Sequence, residues 1–396
     1  MIKNFYILYG SPITQHIYEF FEGDLLKNNG FNLTFYDLSP IIHPALYEGT
    51  TIREDYKGNN KQVIFNKINI LKLLSSLKED SFVLNALTYN NGSSDFYRAI
   101  SKSKAFYAID VDVAIPTFDE GNTYVDTFFR RIKKIKIPKL IRYVKENVKP
   151  ALIKRLSRPP DFVIAGGESS IKHMPNGHLV GKTTEILWTH TSDYNNYLKY
   201  SEKTGQKKYK PTAVFLCGSA PMFLRDNLAS GIPCPLTIDV YYPSLCRFFD
   251  RIESELSLTV EIAGHPGATH SKNPDYFGER LTQQGKTMEM IARSKLILSH
   301  GSTACNYAVI FNKPTIQFIT DQFLIEASRD ADHLEVFANW LGTELINIDE
   351  SLDRDWEGYL EINQKAYENY KRHFIKKNAS EKLNSWQIVA NRVKKI

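Results

Sequence analysis

Short apolar runs alternate with helical patterns through the first half of the chain. The runs NFYILYG, FNLTFYDL, SFVLNALT, AFYAIDVDV and DFVIAGG are predicted to be strands, with helices at 18–28 and 71–77 among them. Nearly continuous apolar runs separated by helices are typical of strands that lie in a parallel sheet covered on both faces. The segment EILWTHTSDYNNYL is expected to be the last element of this half.

A second alternating series follows a polar, charged segment at 203–210, KTGQKKYK. It runs through the predicted strands TAVFLCG, LTVEIAGHP, KLILSH and PTIQFIT, with helices at 244–256, GKTMEMIARS and STACNYAVIFN between them. We therefore predict two Rossmann-like domains, 1–203 and 211–375, facing a cleft. A C-terminal helix within 376–396 is expected to pack back on the first domain.

Composition narrows the class of protein. The chain has 396 residues, of which 42% are apolar and 24% charged, as in a globular protein with more than one core. No apolar run reaches the roughly 20 residues of a spanning helix, and the N-terminus lacks the features of a signal peptide. Its four cysteines lack CxxC spacing, which argues against a zinc site or a disulfide framework. A cytoplasmic location is expected.

The positive charge is concentrated in one stretch. Residues 130–158 contain twelve Lys/Arg and one acid, a net charge of +11 against +6 for the whole chain. A solvated helix face, a nucleic-acid patch and a surface for anionic membrane are all compatible with this charge. Because apolar residues are interleaved with the cations, as in an amphipathic helix at a lipid interface, we favour peripheral docking on an anionic membrane, without nucleic acid.

The segment KLILSHGSTACNYAV predicts a strand, a turn at Gly301 and a helix that begins near Ser302. Hydroxyl side chains and backbone N–H groups at such a junction can bind an anion. Ser302, Thr303 and the amide of Ala304 are therefore candidates for binding a phosphate. The alternative is that Ser302 only caps the helix and Gly301 only makes the turn.

His265 and Pro266 follow the predicted strand LTVEIAG, at the carboxyl end where open α/β sheets bind ligands. Histidine changes charge near neutral pH and can donate a proton to a leaving phosphate oxygen. A solvated or capping histidine is the alternative. Since His265 and Ser302 end two strands of one predicted sheet, both are expected to reach the same ligand.

The first half contains a candidate acid pair. Asp119 and Glu120 precede Gly121 in AIPTFDEGNTY, directly after an apolar run, and a carboxylate there can remove a proton from an acceptor hydroxyl. An acidic turn is the alternative. Glu168, after the strand DFVIAGG, is the reserve candidate for this base.

Further side chains are candidates for lining the cleft. Lys286 lies in GKTMEM, which lacks the upstream glycine of a P-loop, and His300 ends the strand KLILSH. Asp110 and Asp112 form an Asp-x-Asp after a strand, as in metal-dependent GT-A glycosyltransferases. A GT-A protein would leave the second series of alternating strands and helices unexplained. We therefore prefer the interpretation that Asp110 and Asp112 simply end a strand.

Three short motifs in this order resemble those of bacterial sialyltransferases and related transferases of CMP-activated nonulosonic acids and Kdo. They are Asp119-Glu120-Gly121, His265-Pro266 and Ser302-Thr303, and 241–313 also resembles bacterial surface-polysaccharide biosynthesis proteins. The resemblance covers about a third of the chain. It implies a GT-B fold and an inverting, metal-independent transfer without any cofactor.

The same resemblance implies a role for each motif. Asp119, or Glu120 in its place, would be the general base, His265 would assist departure of CMP, and Ser302 and Thr303 would hold the phosphate. The donor would be a CMP-linked sialic, pseudaminic or legionaminic acid or Kdo. The acceptor would be a glycan or lipid-linked glycan of capsule or lipooligosaccharide biosynthesis, and the membrane would be the inner face of the bacterial inner membrane.

Other functions remain open from the sequence. A GT-B glycosyltransferase that uses a UDP-sugar and a UDP-HexNAc 2-epimerase would share the two-domain fold. A polysaccharide assembly protein without catalytic activity would also fit, and in such a protein Asp119 and His265 could be replaced without consequence.

Overall fold

The computed structural model describes residues 1–49, 55–111, 115–116, 148–173, 176–201, 210–218, 221, 234–265, 274–350 and 354–396. The chain forms two compact units. The first comprises the described parts of 1–114, 119–192 and 379–396, and the second those of 115–118 and 193–378. The second unit thus begins before 203–210, where the sequence placed the change of domain.

The first unit is built on seven parallel strands. These are β1 (Asn4–Tyr9), β2 (Asn32–Asp37), β3 (Lys61–Val63), β4 (Ser81–Asn85), β5 (Phe106–Val111), β6 (Phe162–Ala165) and β7 (Glu185–Trp188). Their order in the sheet is β3-β2-β1-β4-β5-β6-β7, and each neighbouring pair is parallel. This is the order of a doubly wound sheet, in which crossover helices cover both faces.

Helices connect these strands. They are α1 (Gln15–Phe20), α2 (Gly23–Asn28), α3 (Ser39–Ile42), α4 (Pro44–Gly49), α5 (Lys67–Ser75), α6 (Ser94–Lys102) and α7 (Ser170–His173), with a 3₁₀ turn at Gly177–Leu179. Residues 148–156 are also helical. Helix α8 (Ser192–Ser201) begins at the last residue of the first unit.

The second unit has a six-stranded parallel sheet. Its strands are β8 (Thr212–Leu216), β9 (Thr259–Gly264), β10 (Thr282–Gln284), β11 (Leu296–Ser299), β12 (Thr315–Ile319) and β13 (Leu345–Asn347). They lie in the order β10-β9-β8-β11-β12-β13. Two doubly wound parallel sheets are therefore present, as the apolar runs predicted.

The helices of the second unit follow the same alternation. They are α9 (Ile238–Leu256), α10 (Thr287–Arg293), α11 (Cys305–Ile310), α12 (Asp321–Glu326), α13 (Ser328–Leu341) and α14 (Gln364–Tyr370), and helix α15 (Ser385–Val393) belongs to the first unit. Short 3₁₀ or π turns occur at Pro274–Phe277, Glu357–Leu360 and Lys371–Ile375.

Alternate side chains of the central strands enter different cores. In β1, Phe5 and Ile7 belong to one apolar cluster and Leu8 to another, and Val83 of β4 is in the second cluster. Successive residues of a strand point to opposite faces, so the first sheet has a core on each side. This burial on both faces explains the nearly continuous apolar runs in the sequence.

The predicted helix at 18–28 is two helices. Helix α1 ends at Phe20, Glu22 adopts a left-handed φ of 48°, and α2 begins at Gly23. A Cβ on Gly23 would lie 2.2 Å from the ring of Tyr18, so only glycine lets the chain pass that ring. The predicted helix at 244–256 begins earlier, at Ile238. Pro243 lies inside this helix, where its ring removes one backbone hydrogen bond.

The C-terminal helix α15 packs within the first unit. Trp386 is 4% exposed, its ring meets Phe21 edge to face at 5.4 Å, and its Nε1 donates a hydrogen bond to the Phe20 carbonyl at 3.0 Å. Arg392 donates to both carboxylate oxygens of Glu185, at 2.8 and 2.7 Å. These contacts tie the end of the chain to α1 and β7.

Among the helices that the structure describes, none is both long enough and apolar enough to cross a lipid bilayer.

Candidate functional site

The carboxyl edge of the second sheet brings three chain segments together. The chain forms β8, β9 and β10 on one side and then crosses to β11 on the other, which makes the β8–β11 boundary a topological switch point. Open α/β sheets bind ligands at such a point, beyond the carboxyl ends of the strands. Cys217, His265 and His300 directly follow β8, β9 and β11.

The backbone of His265 is fixed by the neighbouring strand ends. Gln284 Nε2, at the end of β10, donates to the His265 carbonyl at 2.8 Å, and the Cys217 N–H donates to the Ala263 carbonyl at 3.1 Å. The Cys217 thiol also hydrogen-bonds the backbone of His265, and burial raises the pKa of this thiol to about 12. Cys217 is therefore a neutral packing residue, and His265 is held on a firm main chain.

The turn after β11 depends on Gly301. Its φ is +76°, a left-handed conformation that side chains with a Cβ rarely adopt, and a Cβ there would lie 2.4 Å from Leu334 Cδ2. The Ser302 N–H donates to Ser299 Oγ at 3.1 Å, which closes the turn.

Ser302 and Thr303 play different parts at the start of α11. Ser302 Oγ accepts the Ala304 N–H at 3.3 Å, so the predicted anion-binding amide of Ala304 already has a partner. Thr303 is exposed, and within the described part of the chain neither its N–H nor its Oγ makes a hydrogen bond. Ser302 thus acts as a local cap, and Thr303 presents the donors available to a ligand.

His300 lies in an aromatic cluster of the second unit. Its ring stacks on Phe318 at 5.5 Å and meets Phe323 edge to face at 4.6 Å, and the Tyr241 hydroxyl lies 3.2 Å from its Nδ1. Burial lowers the pKa of His300 to about 4, so the ring is uncharged at neutral pH. This environment favours a packing role over contact with a phosphate.

The structure describes only two of the remaining predicted site residues. Lys286 is exposed beyond β10, at the same edge as His265, and Glu168 is exposed beyond β6, at the carboxyl edge of the first sheet. Asp119, Glu120 and Pro266 lie outside the described residues.

The Asp-x-Asp pair is described only in part. Asp110 belongs to strand β5, and Asp112 lies outside the described residues. Among the residues that are described, no three His, Cys, Asp or Glu side chains form a group able to hold a metal ion.

A carboxylate network next to the turn was not predicted from the sequence. Asn306 Nδ2 donates to Asp193 Oδ2 at 2.9 Å, and the Tyr307 hydroxyl hydrogen-bonds the same carboxylate. Tyr370 donates to Asn306 Oδ1 at 2.9 Å. Burial raises the pKa of Asp193 to about 6. The network orients the first turn of α11, and no local pattern could reveal it because Asn306 lies 113 residues from Asp193.

This network predicts a pH-dependent stability. Because the pKa of Asp193 is higher in the folded chain than in an unfolded one, folding favours its protonated form. The stabilisation is fully present below about pH 4 and is lost as the pH rises through about 6. As the pH rises from about 4 to about 6, the wild type loses this stabilisation, whereas the asparagine of Asp193→Asn stays neutral. The free energy of unfolding of Asp193→Asn is therefore expected to increase relative to that of the wild type.

Thermal unfolding across this pH range measures the effect. Asp239→Asn, at an exposed position of α9, is the matched control and should keep the wild-type pH profile. If Asp193→Asn has the wild-type profile as well, the network does not contain a carboxyl of raised pKa.

Comparison with known proteins identifies similar folds but no family. A scan against protein-family models finds no match, and a search of curated proteins finds none either. The structure is similar to the wall teichoic acid polymerase TagF, with a TM-score of 0.52 and 10% identity over 99% of this chain and 88% of that one. It is also similar to a calicheamicin glycosyltransferase, with a TM-score of 0.51 and 8% identity over 100% and 98% of the two chains.

A UDP-GlcNAc 2-epimerase from Methanocaldococcus jannaschii matches at 13% identity over 99% of this chain and 100% of that one, with a TM-score of 0.48. The two structures with TM-scores above 0.5 have 10% and 8% sequence identity to this chain, so they establish its fold but not its activity or substrate. Together with the two parallel sheets, they confirm the predicted fold class: the chain has the two-domain Rossmann-like GT-B fold.

Proposed function

We propose that the protein is a glycosyltransferase whose second unit binds a nucleotide-activated sugar. One observation carries the proposal: His265 and Thr303 follow β9 and β11, which flank β8 at the switch point of one sheet. Because β8 lies between them, β9 and β11 are two inter-strand distances apart, which is roughly 10 Å. A phosphate group and the two side chains that bind it can span this distance.

The chemistry of the site suits a departing nucleoside monophosphate. The Thr303 N–H and Oγ can donate to phosphate oxygens, and such donors stabilise the negative charge that develops on a leaving group. The imidazole of His265 can hydrogen-bond or protonate the leaving oxygen, because histidine exchanges protons near neutral pH. These groups neutralise a single phosphate without a metal ion.

The donor that we propose is a CMP-linked nonulosonic acid or Kdo. Support comes from the sequence motifs and their order, with His265-Pro266 and Ser302-Thr303 at the strand ends described above. Asp119 or Glu120 is the proposed base on the acceptor hydroxyl, with Glu168 in reserve at the carboxyl edge of the first sheet. Attack on the face opposite the departing CMP inverts the anomeric carbon, and the acceptor is a bacterial surface glycan.

Binding of nucleotides to the purified protein tests the proposal. A ligand that binds only the folded chain stabilises it by about 2.7 kcal/mol at a concentration 100 times its Kd. CMP is therefore expected to raise Tm by a few degrees, while UDP and GDP at the same concentration raise it less. Thr303→Val keeps the size of the side chain and removes its hydroxyl, and it should weaken the CMP shift.

Other outcomes of the same measurement contradict the proposal. Stronger stabilisation by UDP would favour a UDP-sugar transferase or a UDP-HexNAc 2-epimerase, and product formation from UDP-HexNAc without an acceptor separates these two. Absence of any nucleotide shift would favour a polysaccharide assembly protein without catalysis.

A further inference from the structure

An apolar stripe lies on the surface of the first unit. Val148, Leu152 and Leu156 occupy every fourth position of the helical segment 148–156, so they share one face of the helix. All three are 57–58% exposed, whereas Ile153 of the same helix is 7% exposed and contacts the core. The helix therefore buries one side and presents large apolar side chains on another.

A second pair of exposed apolar side chains adjoins this stripe. Phe65 and Ile68, at the start of α5, are 69% and 65% exposed. Lys67 and Lys149 both bind Asp95 Oδ2, each at 2.8 Å. The beginnings of α5 and of the 148–156 helix thus meet at the beginning of α6. Because these two helix starts share Asp95, we group the five exposed apolar residues at 65, 68, 148, 152 and 156 and call them the apolar patch.

The charge around the apolar patch is positive. Residues 148–158 contain four Lys/Arg and no acid. Lys149 is paired with Asp95 and Arg158 with Asp161, whereas Lys154 and Arg155 have no ion pair among the described residues. Arg155 directly precedes Leu156 and lies beside the stripe. Exposed apolar side chains bordered by an unpaired cation, on a helix that carries no acid, match the boundary between anionic headgroups and acyl chains.

We propose that the apolar patch docks the protein on an anionic lipid bilayer. The five apolar side chains enter the region between headgroups and acyl chains, Arg155 binds a lipid phosphate, and Lys154 adds to the positive charge of the helix. A protein partner is less suited to this surface, because its contact would have to cover the unpaired guanidinium of Arg155 beside the apolar stripe.

The position of the apolar patch is consistent with a lipid-carried acceptor. Lys67 and Lys149 donate to the carbonyls of Gly92 and Asn91, in the loop that follows the carboxyl end of β4. Glu168 lies at the same edge of this sheet, beyond β6. The link to a lipid-carried acceptor rests on the proposed function, but docking itself does not.

Sedimentation of the full chain with vesicles tests the docking. We expect the protein to bind vesicles of phosphatidylcholine with phosphatidylserine and to bind pure phosphatidylcholine much less. Salt should weaken the binding, because it screens contacts with headgroups. Ile68→Ser with Val148→Ser and Leu152→Ser should reduce the partition coefficient at least tenfold, and so should Lys154→Glu with Arg155→Glu.

Matched controls use exposed residues that do not belong to the apolar patch. Leu281→Ser with Ile325→Ser removes apolar side chains that are 55% and 77% exposed, and Lys182→Glu with Lys365→Glu makes the same change in charge at exposed positions. Both pairs should bind vesicles as the wild type does. Since all the substituted side chains are exposed, the Tm of each variant should stay near that of the wild type.

Three results would overturn the proposal. In the first, the wild-type protein does not bind anionic vesicles. In the second, the patch variants bind as well as the control variants do. In the third, the wild type is an oligomer and the apolar-patch variant is a monomer, which would make the patch a contact between copies of this chain. The vesicle assay contains neither nucleotide nor glycan. A failure of docking therefore leaves the CMP-dependent rise in Tm intact, and a failure of the CMP test leaves vesicle binding intact.

Discussion

Replacing His265 by alanine is expected to lower the rate of the proposed sugar transfer by about 100- to 10,000-fold, the range that a positioned acid or base contributes. The main chain of this residue is fixed by Gln284 and by the end of β8, so the substitution is expected to remove the imidazole without moving the backbone of residue 265. The loss should appear mainly in kcat, because protonation of the leaving oxygen matters most in the transition state.

Steady-state kinetics with a CMP-sugar donor measures this effect. His16→Ala, which removes an exposed histidine of α1, is the control and should transfer at the wild-type rate. The CMP-dependent rise in Tm should persist in His265→Ala, since Thr303 still offers its donors to the phosphate. A variant that keeps wild-type kcat would exclude His265 from the chemical step.

Trp386→Ala is expected to destabilise the first unit by about 3–5 kcal/mol, the usual cost of removing a buried indole. The ring of Trp386 is 4% exposed and packs on Phe21, and its Nε1 donates to the Phe20 carbonyl. Removal leaves a cavity between α15 and α1 and an unpaired carbonyl. Helix α15 should therefore detach more readily.

Chemical denaturation monitored by far-UV circular dichroism measures the loss. Leu383→Ala removes an apolar side chain that is 43% exposed in the same terminal segment, and it should change the free energy of unfolding by no more than about 0.5 kcal/mol. Trp386→Phe retains the aromatic contact but loses the hydrogen bond, so its stability should lie between those of the wild type and the alanine variant. Equal stability of Trp386→Ala and Leu383→Ala would show that α15 does not depend on this anchor.

The central strands were predictable because their signal is local. In β4 all five residues, and in β6 all four, are buried, and the sequence shows FVL between Ser81 and Asn85 in β4 and the unbroken apolar run FVIA in β6. The edge strands β3, β10 and β13 were not predicted. Each has only three residues, and the described positions in them are partly or fully exposed with one exception, Ile346. Such segments are too short to show a period.

Helix α6 was also absent from the prediction, although the sequence carries a signal for it. Phe96, Tyr97 and Ile100 are buried at helical spacing, and Ser94 and Asp95 supply polar residues at its start. The nearby strand runs SFVLNALT and AFYAIDVDV are much stronger apolar signals. A search for helical spacing between them would have found α6.

The sequence by itself determined which residues end which strands: His265 follows one apolar run and His300-Gly301-Ser302-Thr303 another, within a few positions of each strand. Only the tertiary structure decided how these residues are used. The order β9-β8-β11 brings two distant segments to one edge, Ser299 and Ala304 engage Ser302 and leave the donors of Thr303 available, and Phe318 and Phe323 enclose His300. Periodicity is a property of neighbouring residues, whereas sheet order, hydrogen-bond partners and burial arise from contacts between residues far apart in the chain.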